Sequence, residues 1–135
     1  MNKISENAMV ELFINDFLNK DFIHKKEVPF EGTKIDLIYC SSKYIYGVEF
    51  KLKNFSKVIN QAKRIKNLFN YVYICILSTR NIEKKIEICK IENIGLILFD
   101  WKNKKFRKML SPKKSKIKIN LINKNIYFKG LNYEK

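Results

Sequence analysis

The sequence predicts an α/β domain with a mixed central β-sheet flanked by helices. Apolar residues recur at helical spacing in three segments, and they alternate or run continuously in five others. These segments follow one another in the order α-β-β-β-α-β-α-β. Strands joined directly form antiparallel hairpins, and strands joined through a helix form parallel pairs, so this order calls for a mixed sheet. At 135 residues and 46% apolar, the chain suits one domain with its own core, and no Gly/Ser-rich linker divides it.

Ser5 is placed to cap a first helix reaching about Asn19, with Met9, Val10, Phe13 and Phe17 on one face. Residues 22–30 read as a first strand, Glu31-Gly32-Thr33 as a turn, and residues 34–40 as an alternating second strand. Ser41-Ser42-Lys43 turns the chain into a third strand over 44–52. Asn54-Phe55-Ser56 offers a cap for a helix over 57–69, whose apolar side carries Val58, Ile59, Ala62, Ile65, Leu68 and Phe69. A fourth strand follows at 71–77 and a helix at 81–92, striped by Ile82, Ile86 and Cys89. A short fifth strand lies at 95–99. Alternation at 116–119 and near 126–128 makes 104–129 read as a basic hairpin or strand pair, so the core spans about 5–100 and a basic C-terminal β extension about 101–135.

Composition narrows the function. The net charge is +15, and the stretch from Lys102 to Lys129 holds 11 of the 28 Lys and Arg residues and none of the 13 acids. Abundant Asn, Ile and Lys suggest an AT-rich genome, which explains many lysines but not an acid-free stretch of this length. Such a segment attracts a polyanion: nucleic acid first, an anionic membrane surface second. It lacks the clean amphipathic helical stripe of a membrane-surface element, and no run approaches the roughly 18 apolar residues of a membrane span. The first residues carry no apolar signal region, so a cytoplasmic protein is expected. Cys40, Cys75 and Cys89 are widely spaced in apolar surroundings and read as buried free thiols. No Gly-rich phosphate loop, Ser/His/Asp set or zinc pair is present, and the lone His24 reads as a surface strand residue.

One strand is out of character. Tyr44-Ile45-Tyr46-Gly47-Val48-Glu49-Phe50-Lys51-Leu52 is an apolar run that carries Glu49 and, two residues on, Lys51. Burying a carboxylate costs several kcal/mol unless it is paired or binds a metal, and a period of two puts both groups on one face. Within the second strand, Ile35, Leu37 and Tyr39 are expected on one face and Asp36 with Ile38 on the other. A hairpin would bring Asp36 to Glu49. Two acids there repel unless a cation lies between them, and a hard divalent ion such as Mg²⁺ takes such oxygens. Lys51 would hold an attacking water or stabilise developing charge. The E-x-K spacing alone is weak, because Glu83-Lys84-Lys85 matches it on a helix surface.

Asp36 followed thirteen residues later by Glu49-Phe50-Lys51 resembles the signature of the PD-(D/E)XK nuclease superfamily. The order helix, three strands, helix, strand is similar to that superfamily's restriction-endonuclease-like core over about residues 5–78. The spacing also resembles its archaeal Holliday-junction resolvases, which act in DNA recombination. Ile35 stands where the family name has Pro. The resemblance implies a Mg²⁺-dependent endodeoxyribonuclease, with Mn²⁺ able to substitute. Asp36, Glu49 and the main-chain carbonyl of Phe50 would bind the metal, and Lys51 would be the catalytic lysine. Glu6 would be the acid of the first helix, with Glu11 as its fallback, and Gln61 the glutamine of the helix after the E-x-K strand. As a first-turn acid, Glu6 equally suits the helix dipole, and Gln61 equally suits a solvated helix face.

Lys63, Arg64, Lys102, Lys104, Lys105, Arg107, Lys108, Lys113 and Lys114 are expected to hold the nucleic-acid backbone. DNA is the expected partner, with RNA as the other polyanion and a homodimer where both strands of a duplex are cut. The competing expectation is a non-catalytic nucleic-acid-binding or assembly module on the same fold.

Overall fold

The computed structural model describes residues 4–18 and 20–115. The strands expected at 116–119 and 126–128 lie outside the described residues. Ser5, extended at φ −90°, accepts a hydrogen bond from Ala8 N at 3.0 Å and starts α1 (Glu6–Leu12). The helix does not run on to Asn19 as one α-helix. It widens into a π-helical turn at Phe13–Phe17, closed by Leu18 N donating to Phe13 O. The wider turn sets the Phe13 and Phe17 rings 5.4 and 5.8 Å from Phe106.

β1 (Ile23–Phe30) and β2 (Thr33–Cys40) form a hairpin closed by Glu31 and Gly32, at φ 47° and 79°. Positive φ at both central residues defines the tight turn that matches strand twist, so Thr33 already pairs with Phe30. β3 (Ile45–Lys51) follows. α2 spans Phe55–Ile65 rather than 57–69. It starts early because Asn54, left-handed at φ 66°, accepts from Lys57 N. It stops early because Leu68 N bonds to Ile65 O and turns the chain, which brings Phe69 beneath Gly47. β4 (Tyr71–Leu77), α3 (Glu83–Glu92), β5 (Gly95–Asp100) and β6 (Lys105–Leu110) complete the described chain.

The six strands lie in sequence order in one sheet. β3–β4 and β4–β5 are parallel, and the other neighbours are antiparallel. β6, the start of the basic segment, is the sixth strand. α2 and α3 cover one face, where Val58, Ala62, Ile65 and Cys89 pack on Ile38, Ile74 and Leu96. α1 and the π turn cover the other, where Met9 and Phe13 pack on Leu37, Val48, Phe50 and Ile97. Cys40, Cys75 and Cys89 are all buried.

One expected facing is wrong. Ile35 joins Ile38 and Cys40 beneath α2, while Leu37 and Tyr39 face α1. The alternation of β2 therefore breaks at Asp36. The β1–β2 ladder skips the Glu27–Asp36 position, and Glu27 there is left-handed at φ 52°. The ladder is thus interrupted at Asp36, which leaves that residue outside ordinary strand pairing.

Candidate active site

The β2–β3 ladder runs from Cys40↔Ile45 to Leu37↔Val48 and stops one pair short of Asp36 and Glu49. Their carboxylates continue the pairing. Phe50 N donates to Asp36 Oδ2 at 2.8 Å, and Asp36 N donates to Glu49 Oε1 at 3.2 Å. Each strand's acid thus takes a backbone N–H of the other strand. Glu49 is only 2% exposed, and Asp36 is half-buried. Burial, followed by the charge of Asp36, pushes the Glu49 carboxyl up to about 8. Asp36 is also raised, chiefly by burial, against the lowering effect of the Phe50 N–H bond. The negative charge of Asp36 thus opposes ionisation of Glu49, as expected for two neighbouring buried acids.

Glu6, on α1, reaches the end of β3. Its Oε2 accepts from Leu52 N at 3.3 Å and lies 3.8 Å from Lys51 Nζ. Glu11, the fallback, instead pairs with Lys26 on β1. Glu6, Asp36, Phe50, Lys51 and Gln61 line one open cleft of about 490 Å³. The buried Gln61 Oε1 has no hydrogen-bond partner among the described residues. The five residues expected at the site therefore converge: four line the cleft, and Glu49 lies sealed behind Asp36. Glu27 and Lys34, bonded to each other at 2.6 Å, line the adjoining hollow of about 380 Å³ with Glu6 and Asp36. Sequence reasoning missed both residues. The signal was present, because a two-residue turn at Glu31-Gly32 sets Glu27 opposite Asp36.

The basic residues do not form one surface. Arg64 on α2 donates to Thr33 Oγ1 from both terminal nitrogens at 3.4 Å and sits over the Phe30 ring beside the cleft. Lys63 turns to Glu92 at 3.6 Å. β3, β4 and β5 are parallel, so the β5–β6 turn with Lys102, Lys104 and Lys105 lies at the same end of the sheet as Lys51. Arg107 and Lys108 lie along β6, with Lys108 5.2 Å from the Tyr73 ring. Lys113 and Lys114 lie at the opposite end. The Lys113 backbone bonds to the Asn93 side chain, and Lys114 covers the Tyr44 ring.

No family model matches the sequence, and no curated protein matches it. Among solved structures, the chain is similar to a protein of unknown function from Silicibacter pomeroyi. The TM-score is 0.59 at 14% identity, covering 79% of this chain and 69% of that one. At that identity the likeness bears on the fold alone. The class so defined is an α/β protein with a six-stranded mixed sheet flanked by helices. Among the described residues, no helix is long and apolar enough to cross a membrane.

Proposed function

We propose that this protein is a Mg²⁺-dependent endonuclease of the PD-(D/E)XK type that hydrolyses phosphodiester bonds in DNA. The observation that carries the reading is the pairing of Asp36 with the buried Glu49 across interrupted strands, beside a cleft where Asp36 meets Lys51, Glu6 and Gln61. Mutual repulsion and burial leave the two carboxyls short of positive charge, and the donor set fits a hard divalent ion. Asp36, Glu49 and the Phe50 carbonyl would hold it, with waters completing the shell. The ion, when bound, would polarise the phosphate and lower the pKa of a water. Lys51 would orient the attacking oxygen and stabilise charge building on the phosphate, and Glu6 would hold Lys51 forward. The unpartnered Gln61 Oε1 is free to accept a hydrogen bond from the attacking water. Arg64 and the lysines of the β5–β6 turn would draw in the backbone, and cutting both strands of a duplex would take a homodimer.

A second reading is a nucleic-acid-binding or assembly module without catalysis. One observation favours it: among the described residues, no group of three or more His, Cys, Asp or Glu could hold a metal unaided. A cleavage panel separates the two readings. Junction, duplex, single-stranded DNA and RNA are incubated with Mg²⁺, Mn²⁺ or EDTA. The nuclease reading expects metal-dependent cleavage of at least one DNA substrate. Salt-sensitive binding with no cleavage of any substrate overturns it in favour of the module.

A further inference from the structure

The carboxyl ends of the parallel strands hold a second cleft, of about 260 Å³, beside the first. Its walls are the β3–α2 connection, with Lys53, and the β4–α3 connection, with Ser78 and Thr79; Lys85 of α3 closes it. No acid lines it. Lys53 and Lys85 have no ion pair among the described residues, in contrast with Lys34, Lys51, Lys63 and Lys66, which face carboxylates. The Lys85 Nζ sits 5.7 Å from the centre of the Phe55 ring, which also lines the cleft. Two compact cations and two exposed hydroxyls converge on a pocket that no acid among the described residues lines. That chemistry suits a phosphate oxyanion.

Its position supplies the second argument. Lys51 pairs with Ile76, and two residues further along each chain lie Lys53 and Ser78. Lys53 and Ser78 lie just beyond the ends of β3 and β4, and two residues of chain reach at most about 7 Å, so the second cleft adjoins Lys51 within the order of one nucleotide step. Further across the same sheet end lies the β5–β6 turn with Lys102 and Lys104. The acid in that turn, Asp100, is occupied by the Lys102 and Asn103 backbone N–H groups and the Asn103 amide.

We propose that this cleft is a second phosphate subsite, bound by Lys53, Lys85, Ser78 and Thr79, which holds the backbone phosphate next to the scissile one. The strand then runs from Lys51 across the ends of β4 and β5 towards the β5–β6 turn. The subsite rests on the phosphodiesterase reading of the first cleft.

The test compares wild type, Lys53→Met/Lys85→Met and the exposed-surface control Lys90→Met, because methionine keeps the aliphatic stem and the fold. Binding of a short fluorescent DNA strand is measured in EDTA across a salt series, and cleavage is measured in Mg²⁺. The double variant is expected to bind about tenfold or more weakly, as loss of a charged hydrogen bond does. Its salt dependence should be shallower by about one phosphate contact or more. A substrate with one neutral methylphosphonate beside the scissile position should cost wild type about tenfold in KM and the double variant nothing further. If wild type binds and cleaves while the double variant matches Lys90→Met in affinity and salt slope, the subsite is wrong and the nuclease reading stands. If wild type neither binds nor cleaves any substrate, the reading beneath it is wrong and the subsite goes with it.

Discussion

Glu49 should make the protein lose stability as the pH rises from 5 to 8. Its carboxyl is pushed up to about 8, first by burial and then by Asp36, whereas an unfolded chain ionises glutamate near its ordinary 4.5. Between those values the folded state holds a proton that the unfolded state has released, so stability falls with rising pH at up to about 1.4 kcal/mol per unit. Over the whole window the loss is on the order of 3–5 kcal/mol. Asp36 is shifted in the same direction, so it contributes a loss of the same sign as the pH rises past its ordinary 3.8. The exposed groups Glu27, lowered by its bond to Lys34, and Asp100, lowered by Asn103, have the opposite sign and act below pH 5. The raised Lys34 acts only near and above pH 10.5.

Glu49→Gln keeps the oxygen that accepts from Asp36 N and removes the charge, so it should flatten the profile and be the more stable protein at pH 8. Mg²⁺ or Mn²⁺ at a hundred times its Kd should return about 2.7 kcal/mol to wild type and nothing to the variant. Urea unfolding in half-unit pH steps, in EDTA and then in Mg²⁺, reads all of this. A wild-type profile as flat as that of Glu49→Gln would refute the reasoning.

Other outcomes follow from the same geometry. Lys51→Met should retain divalent-ion binding by calorimetry while cleavage falls by roughly 10²–10³, the scale of losing one preorganised charge-stabilising donor. Phe13→Ala empties a site at the centre of the aromatic cluster with Phe50 and Phe106, and should cost about 3–5 kcal/mol in urea unfolding. Gly95→Ala should destabilise by about 1–3 kcal/mol or more, because its Cβ would lie 2.3 Å from the Tyr73 ring and 2.7 Å from Pro112. Ser5→Ala removes the α1 cap and should cost about 1 kcal/mol in the same assay.

Much of this protein is legible from local patterns. Ser5 and Asn54 announce their helices because a side-chain oxygen at that position satisfies an orphan N–H. Glu49 stands out because an apolar strand has no ordinary use for a buried carboxylate, and the short turns that follow β1 and β2 bring Asp36 to it. What stayed hidden depends on tertiary geometry. The reversal of facing at Asp36 falls where the ladder skips a pair opposite the left-handed Glu27, and strict alternation cannot report it. The π turn and the early end of α2 are set by where the Phe13, Phe17 and Phe69 rings pack. The basic run looks continuous in sequence, but β6 lies antiparallel to β5 and carries Lys113 and Lys114 away from the end that Lys102 and Lys104 share with Lys51.

The central claim is that Asp36 and Glu49 together hold a divalent ion that cuts DNA. The most direct measurement is the Mg²⁺-dependent cleavage rate of wild type, Asp36→Asn and Glu49→Gln on labelled DNA, with EDTA alongside. The account predicts cleavage by wild type that EDTA abolishes, and loss of at least a hundredfold in each variant. A Glu49→Gln protein that cleaves as fast as wild type would contradict it.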